Sequence, residues 1–346
     1  MTVTTPQNTP VTEVPKSSGT RLVDRVFKMR ELAILVVFLV MIVVTQLGNS
    51  EFLTEQGIKD LLLNGTILVL VAVGQSLVVI TRNVDLSVGS TLGISAFAAG
   101  TYLQGGGNAV VAVLMAVLMG IGFGLLNGLL VSLGQVPALV VTLGTLYIIR
   151  GIDSIWVGSR QIVASGLPDG FIDFGSGGIS AVPYLALIAL AVLVATAYYL
   201  KHFGSGRELY ALGSNPEAAR LAGIPVRKRI LMAYTFCGAL AGLAGALYLA
   251  RFGNVDSSTG NGYELTVVSA VVVGGVVFTG GSGSVYGAAL GALLLTSINS
   301  VLPALGVSSV WVLAINGILL ILAIAVDRVV AVRVATALKK RNARHG

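Results

Sequence analysis

The chain of 346 residues is 55% apolar and only 11% charged, with a mean hydropathy of +0.90, whereas about 25% of an average soluble domain is charged. That excess of apolar surface excludes a soluble globular fold, and a single cysteine, Cys237, excludes an internal disulfide or a cysteine-built metal centre. A net charge of +7 and a pI near 9.6 would suit nucleic acid, but the basic residues fall between long apolar segments, so no nucleic-acid partner is expected.

Residues 1 to about 20 are rich in Thr, Pro, Ser and Val without apolar periodicity, which predicts a disordered tail. Arg21, Arg25, Lys28 and Arg30 complete a basic amino-terminal segment over 1–30, and with no small-residue cleavage site the start reads as an uncleaved anchor. A hydrocarbon core about 30 Å thick asks for about 20 apolar residues per helical crossing. Continuous apolar runs over 32–44 and 185–200 suit such crossings and lack the short alternating segments of a membrane barrel. Spans are expected near 31–48, 58–81, 86–104, 108–133, 136–156, 181–201, 230–252, 265–280, 285–303 and 310–330. The fold class is therefore an all-α membrane protein, a polytopic bundle of about ten transmembrane helices over 31–330. Gly120, Gly124 and Gly128 offer one small-residue face for close helix contact.

Numbering the spans outward and inward in turn leaves only Lys59, Arg150, Arg160 and Arg251 on or near the outer side, and 18 of the 22 basic residues inside. Basic residues are retained on the cytoplasmic side, so both termini, the 204–229 loop and the basic tail 331–346 are expected there.

Several polar groups invite a chemical reading. Arg82, Asn83 and Asp85 lie at the inner end of the second span, where they either line a pathway or hold a broken helix or short turn, with Asp85 capping a helix that starts at Leu86. Arg150 and Asp153 have the spacing of a helical ion pair, which competes with a proton relay. Asn64, Gln75, Asn127, Thr142, Thr145, Tyr147, Ser269, Asn299 and Asn316 lie inside spans, and spacing alone does not separate solute contacts from bonds between helices. The glycine-rich stretch from Thr279 to Gly287 lacks the Gly-Lys-Ser/Thr ending of a phosphate loop, so it reads as a tight turn. With only His202 and His345 as histidines, no catalytic or metal site is expected.

Within 204–229, the run Asn215-Pro216-Glu217-Ala218-Ala219-Arg220-Leu221-Ala222-Gly223-Ile224-Pro225 marks both ends of a short helix. Asn215 is a good N-cap, Pro216 suits the first helical position, and Glu217 faces the positive helix end. Gly223 can adopt the left-handed conformation that ends the helix, and Pro225 forbids its continuation. Glu217-Ala218-Ala219 with Gly223 resembles the coupling motif of ATP-binding-cassette importer permeases. Asn83-Val84-Asp85-Leu86-Ser87-Val88-Gly89-Ser90, and Gly274-Gly275-Val276 with Gly280-Gly281-Ser282, resemble the monosaccharide permease family that handles ribose, xylose, rhamnose and autoinducer-2.

The resemblance implies a multi-pass permease of the bacterial inner membrane that imports a monosaccharide or a related small polyol-like solute. Residues 215–220 and Gly223 would couple it to a separate cytoplasmic ATPase that binds ATP and magnesium. Asn83, Asp85, Ser87, Gly274, Gly275, Gly281 and Ser282 would serve translocation or its framework. Further implied partners are a second permease copy or a sibling, membrane lipid, and an extracellular sugar-binding protein, for which Arg160 in the outer 157–180 loop is a docking candidate. The alternative from another class is an ion-coupled secondary transporter working alone.

The basic asymmetry yields a direct test. With Cys237 replaced, a cysteine introduced at Ser214 should react with an impermeant thiol reagent only from the cytoplasmic side, and labelling of intact cells from outside would overturn the topology.

Overall fold

The computed structural model describes residues 18–48 and 52–304, and beyond them 308, 311, 314–319, 321–322 and 325. The helices are α1 (Ser18–Gly48), α2 (Glu55–Ile80), α3 (Val88–Gln104), α4 (Ala109–Ser132), α5 (Ala138–Val157) and α6 (Asp169–Ser176). They continue with α7 (Tyr184–His202), α8 (Gly204–Ser214), α9 (Pro216–Leu221), α10 (Val226–Phe252), α11 (Tyr263–Val273) and α12 (Val285–Ala304). Between α6 and α7, β1 (Gly178–Ile179) and β2 (Val182–Pro183) form a small antiparallel hairpin, with Gly178 opposite Pro183 and Ile179 opposite Val182.

α2 is the central post. Every residue from Gly65 to Ile80 is buried, as expected of a helix that is apolar on all sides. α10 packs against α2, α3 and α4, and α12 packs against α2 and α11. α4 shows how the packing works. Ala112, Ala116, Gly120, Gly124, Asn127 and Gly128 face inward and are buried, whereas Leu114, Leu118, Leu125 and Leu129 point outward. Large apolar side chains on the outside and small ones inside suit a lipid surround, in which close backbone approach replaces the hydrophobic effect between helices. A Cβ added at Gly120 would stand 2.1 Å from the Gly238 carbonyl oxygen, and one at Gly124 would stand 2.4 Å from that of Tyr234. The small-residue face expected from sequence is thus the α4–α10 seam.

Six helices of the described residues are long and apolar enough to cross a membrane: α2, α4, α5, α7, α10 and the Val285–Leu302 part of α12. Of the about ten expected spans, the others differ for identifiable reasons or lie outside the described residues. The span expected over 265–280 ends at Val273, because Gly275 takes φ +91° and Gly274 packs on the Gly287 carbonyl. Its 11 residues reach only about 16 Å at 1.5 Å per residue. α3 has 17 residues and is enclosed by protein from Val88 to Gly100. α1 begins at Ser18, well before the expected start at 31, so the basic residues Arg21 to Arg30 lie on the first helix; no Pro or Gly interrupts it between Arg21 and Gln46. The expected span 310–330 lies largely outside the described residues, as do residues 1–17 and the tail 331–346.

The seam can be tested directly. Gly238→Val should overpack α4 against α10 and cost about 3 kcal/mol or more, seen as loss of folded permease in detergent, whereas Gly122→Ala, with open space at its Cβ, should be silent.

Candidate functional site

The 204–229 segment holds two helices, α8 and α9, and α10 begins within it at Val226. α9 carries the capping expected from sequence. Asn215 Oδ1 accepts from the Ala218 N–H at 3.1 Å, and Pro216 occupies the first turn. At the other end the Gly223 N–H donates to Arg220 O and the Ile224 N–H to Ala219 O, both at 3.0 Å, with Gly223 at φ +80°. These are the two bonds of a Schellman stop. Ala219 is buried, whereas Glu217 and Arg220 form a 3.1 Å ion pair on the surface and Leu221 is 87% exposed. A large apolar side chain between two exposed charges, on a helix of fixed length, gives a rigid projecting surface.

The base of this projection is tied to the bundle. Arg82 Nε donates to Gly213 O at 2.5 Å and its Nη2 to Ser214 O at 2.9 Å, at the last turn of α8 and next to the Asn215 cap. Tyr210 donates to Gly283 O at 3.1 Å, and Arg229 pairs with Glu208 at 2.5 Å. The Gly281 N–H donates to Ile80 O at 2.9 Å, and Gly213 lies where a Cβ would be 1.8 Å from that same carbonyl. The α2–α3 break, the turn before α12 and the end of α8 therefore meet at one junction.

Arg82 occupies an unusual place in it. α2 ends in its own Schellman stop, with the Arg82 N–H on Val79 O and the Asn83 N–H on Val78 O. The left-handed position is held by Arg82 at φ +65°, where glycine would be unstrained. Local strain of this kind persists where surrounding contacts determine it, here the two guanidinium bonds.

Asp85 is buried in the break. Its Oδ1 accepts from the Ser87 N–H at 2.9 Å, the Ser87 hydroxyl at 2.7 Å and the Asn127 amide at 3.4 Å. Asn127 also donates to Ser87 Oγ at 2.8 Å. The helix begins at Val88, so Asp85 does not cap a helix starting at Leu86; it closes a turn onto Ser87, the actual N-cap residue. Val84 O accepts from Tyr234 at 3.1 Å and Thr142 at 3.2 Å. With its oxygen toward the Asp85 N–H and its nitrogen toward the Asp85 carbonyl, the Gln75 amide bonds both, at 3.1 and 3.3 Å.

At the opposite ends of α2, α10, α11 and α12 lies a cleft of about 400 Å³. Asn64 and Ile80 are 16 residues apart on α2, so cleft and junction are separated by about 24 Å. The polar lining comprises Asn64, Asn261, Thr266, Thr296, Asn299, Ser300 and Asn316, of which Thr266 donates to Gly262 O at 3.0 Å, with Phe252 and Tyr263 beside it. The polar residues that sequence left undivided therefore separate: Gln75, Asn127 and Thr142 bond the junction, whereas Asn64, Asn299 and Asn316 face the cleft. Thr145 and Ser269 bond carbonyls of their own helices, and Tyr147 is exposed on the outer surface of α5.

The loop between α10 and α11 forms one lip of the cleft. Asp256 organises it, accepting from the Ser258 hydroxyl at 2.7 Å and the Ser258 N–H at 2.8 Å, and the hydroxyl bond leads in holding its carboxyl below the ordinary range. A depressed carboxyl pKa stabilises the loop above the ordinary carboxylate range, a contribution lost as pH falls through the lowered value. Arg150 donates to Thr259 O at 2.7 Å and stands 3.9 Å from Asp153, the ion pair expected from spacing, so it fastens this loop to α5. Arg160 bends back onto its own helix end. Its Nη2 donates to Trp156 O, its Nε to Val157 O at 3.4 Å, and its guanidinium lies 5.4 Å from the Phe97 ring centroid.

Sequence reasoning missed Gly213, Tyr210 and Tyr234 at the junction and Asn261, Thr296 and Ser300 at the cleft. Gly213 had a signal, standing two residues before the N-cap; the others become functional only through contacts distant in sequence.

A membrane-spanning bundle with an exposed, braced helix at one end and a polar cleft at the other has the organisation of a transport subunit. The chain belongs to the permease family described as branched-chain amino acid transport system / permease component, whose model matches residues 57–324. It is 39% identical over 276 residues to the autoinducer 2 import system permease protein LsrC of Salmonella typhimurium (strain LT2), covering 79% of this chain and 78% of that one. It is 35% identical over 313 residues to the ribose import permease protein RbsC of Escherichia coli (strain K12), covering 90% and 97%. No solved structure matches the chain. The protein is a transport permease and not an enzyme; in these systems ATP hydrolysis belongs to a separate subunit.

Arg82 can be separated from its backbone role. Arg82→Gly should relieve about 1 kcal/mol of backbone strain while removing both bonds to α8. Thermal midpoints should stay within a few degrees of wild type while transport falls severalfold, and normal transport would show that the guanidinium link is dispensable.

Proposed function

We propose that this chain is the membrane subunit of an ATP-driven importer of a monosaccharide or related small polyol-like solute in the bacterial inner membrane. In this reading both termini and α8–α9 face the cytoplasm and the cleft faces outward. A cytoplasmic ATPase holding ATP and magnesium grips α9, a second permease copy or a sibling completes the pathway, and an extracellular binding protein delivers the solute. The 157–180 loop is the docking region for that protein. Arg160 contributes mainly by fixing the end of α5, because its guanidinium already bonds two carbonyls there.

The observation that carries the proposal is the rigid connection from α9 to the α2–α3 break. Force on α9 passes through Asn215 to the end of α8, and from there through Arg82 to the junction where α2, α3 and α12 end or begin. Residues 81–87 and 274–284 are the non-helical segments that a relative shift of these helices would bend. Transport then consists of a population shift between outward-open and inward-open arrangements, biased by the ATPase, with no covalent step in this chain.

The solute class rests on the cleft. The family description mentions branched-chain amino acids, whereas the relatives named above import ribose and autoinducer 2. A zwitterionic amino acid would call for charged partners, and the cleft lining contains amides, hydroxyls and aromatic rings without a charged side chain. That lining favours an uncharged, hydroxyl-rich solute.

α9 provides the test. Gly223 has open space at its Cβ, so the penalty of substitution comes from φ alone: Gly223→Val should cost about 1–2 kcal/mol and distort the stop, whereas Gly223→Asn should be tolerated. Glu217→Lys sets a cation against the helix N-terminus and beside Arg220. Gly223→Val and Glu217→Lys should lower ATPase association and transport severalfold at equal membrane abundance, with sugar binding by the extracellular protein unchanged. If both assemble and transport as the parent does, α9 is not the coupling helix.

A further inference from the structure

Hydroxyl groups within this bundle are normally engaged by their own helices. Thr66 donates to Leu62 O at 2.8 Å, Ser76 to Ala72 O at 2.7 Å, Ser269 to Leu265 O at 2.7 Å and Ser297 to Leu293 O at 2.8 Å. Such bonds leave little capacity for a passing solute. Ser95 and Ser132 are buried without a partner elsewhere in the bundle, but the outer cleft gathers several such groups around one space. Among the described residues, the side chains of Asn64, Thr296 and Ser300 have no hydrogen-bond partner in the fold, although all three line the same space. Asn316 donates through Nδ2 to Asn299 Oδ1 at 3.3 Å, which leaves its own Oδ1 buried without a partner and the Asn299 amide N–H groups free.

An unpartnered amide oxygen on a residue only 8% exposed is costly unless something fills its place. Here the unfilled donors and acceptors converge from α2 and α12 and from Asn316 beyond it, with Tyr263 and Phe252 offering apolar ring faces alongside. Amides and hydroxyls provide donors and acceptors together, which matches a solute whose every hydroxyl does both. No lining side chain carries a charge, so an ionised group entering the cleft would lose hydration without gaining a countercharge.

We propose that Asn64, Thr296, Asn299, Ser300 and Asn316 form a solute-reading subsite within the permease itself, one that binds an uncharged polyol and rejects its ionised derivatives. The proposal rests on the assignment as a polyol importer and adds that selectivity is exercised in this chain as well as in the protein that delivers the solute. Asn316 and Asn299 are the positioning pair, since the bond between them orients the free oxygen of one and the free amide of the other. Asn64 and Ser300 supply further contacts to the solute hydroxyls.

The test uses the full chain with its ATPase in lipid nanodiscs, without the binding protein, and follows ribose and ribose 5-phosphate by saturation-transfer NMR. Ribose should give a signal and ribose 5-phosphate none. Asn64→Ala and Ser300→Ala remove groups that bond nothing in the fold, so they should leave folding and assembly unchanged while weakening the ribose signal about fivefold, the scale of one lost hydrogen bond. Asn316→Leu should abolish the signal and Asn316→Gln should restore part of it. Gly223→Val, acting at the far end, should leave it intact. No ribose signal, equal signals from wild type and Asn64→Ala, or a ribose 5-phosphate signal as strong as that of ribose would each overturn the subsite. Failure of the importer assignment looks different: wild-type permease would show no ATP-driven uptake with its ATPase and binding protein, whatever the cleft binds.

Discussion

Inside a membrane no water satisfies a free backbone N–H or carbonyl, so every interruption of a helix has to be bonded by the protein itself. The α2–α3 break meets that constraint with side chains gathered from across the fold. The Ile80 carbonyl takes the Gly281 N–H, and the Val84 carbonyl takes the hydroxyls of Tyr234 and Thr142. The Asp85 carboxylate closes the turn onto Ser87 and Asn127, while the Gln75 amide meets the Asp85 backbone. Gly281, Tyr234, Thr142 and Asn127 each sit on a different neighbour, so the break fixes α4, α5, α10 and the turn before α12 relative to α2. Breaking a helix in this setting organises the bundle around the break.

The same constraint explains the crowding of glycines. Carbonyls can be shared between segments only if backbones approach to contact, and at Gly213, Gly274 and Gly280 a Cβ would meet neighbouring atoms at 1.8 to 2.3 Å. The motif glycines thus belong to the junction, and so does the strained Arg82. A glycine there would end α2 more comfortably but would remove both Arg82 bonds to the end of α8. Local stability and mechanical connection pull in opposite directions at this residue, and the structure retains the connection.

How far the sequence revealed this depends on the range over which each signal acts. α9 was legible in full, because Asn215, Pro216, Gly223 and Pro225 determine its ends through bonds spanning a few residues. The α4 glycine face was legible as a pattern, although its partner α10 was not. The end of α11 was misread because Val276, Val277 and Phe278 prolong the apolar run past the two glycines, and hydropathy cannot register a turn made of apolar residues. Asp85 was misread for a related reason. Its local spacing suits an N-cap, but Asn127, 42 residues away, and Gln75 decide what the carboxylate does. The polar residues of the spans were individually visible, and only the fold sorted them into junction and cleft.

That sorting has a physical logic relevant to transport. Junction polar groups are bonded to backbone and to each other, which makes them good framework and poor solute ligands. Cleft groups are partly unpartnered, which makes them poor framework and good ligands. Between the two regions α2 is buried on every side from Gly65 to Ile80, with most of its polar side chains turned to its own helix or to the junction. On the proposed reading, about 24 Å of buried helix, by helix rise, separates a solute at the cleft from the junction. The solute would then advance by helices separating or rotating, because unbonding the junction one group at a time would leave backbone groups without partners. On that reading, motion by whole helices, driven from the end where Arg82 joins α8, would leave those internal bonds intact.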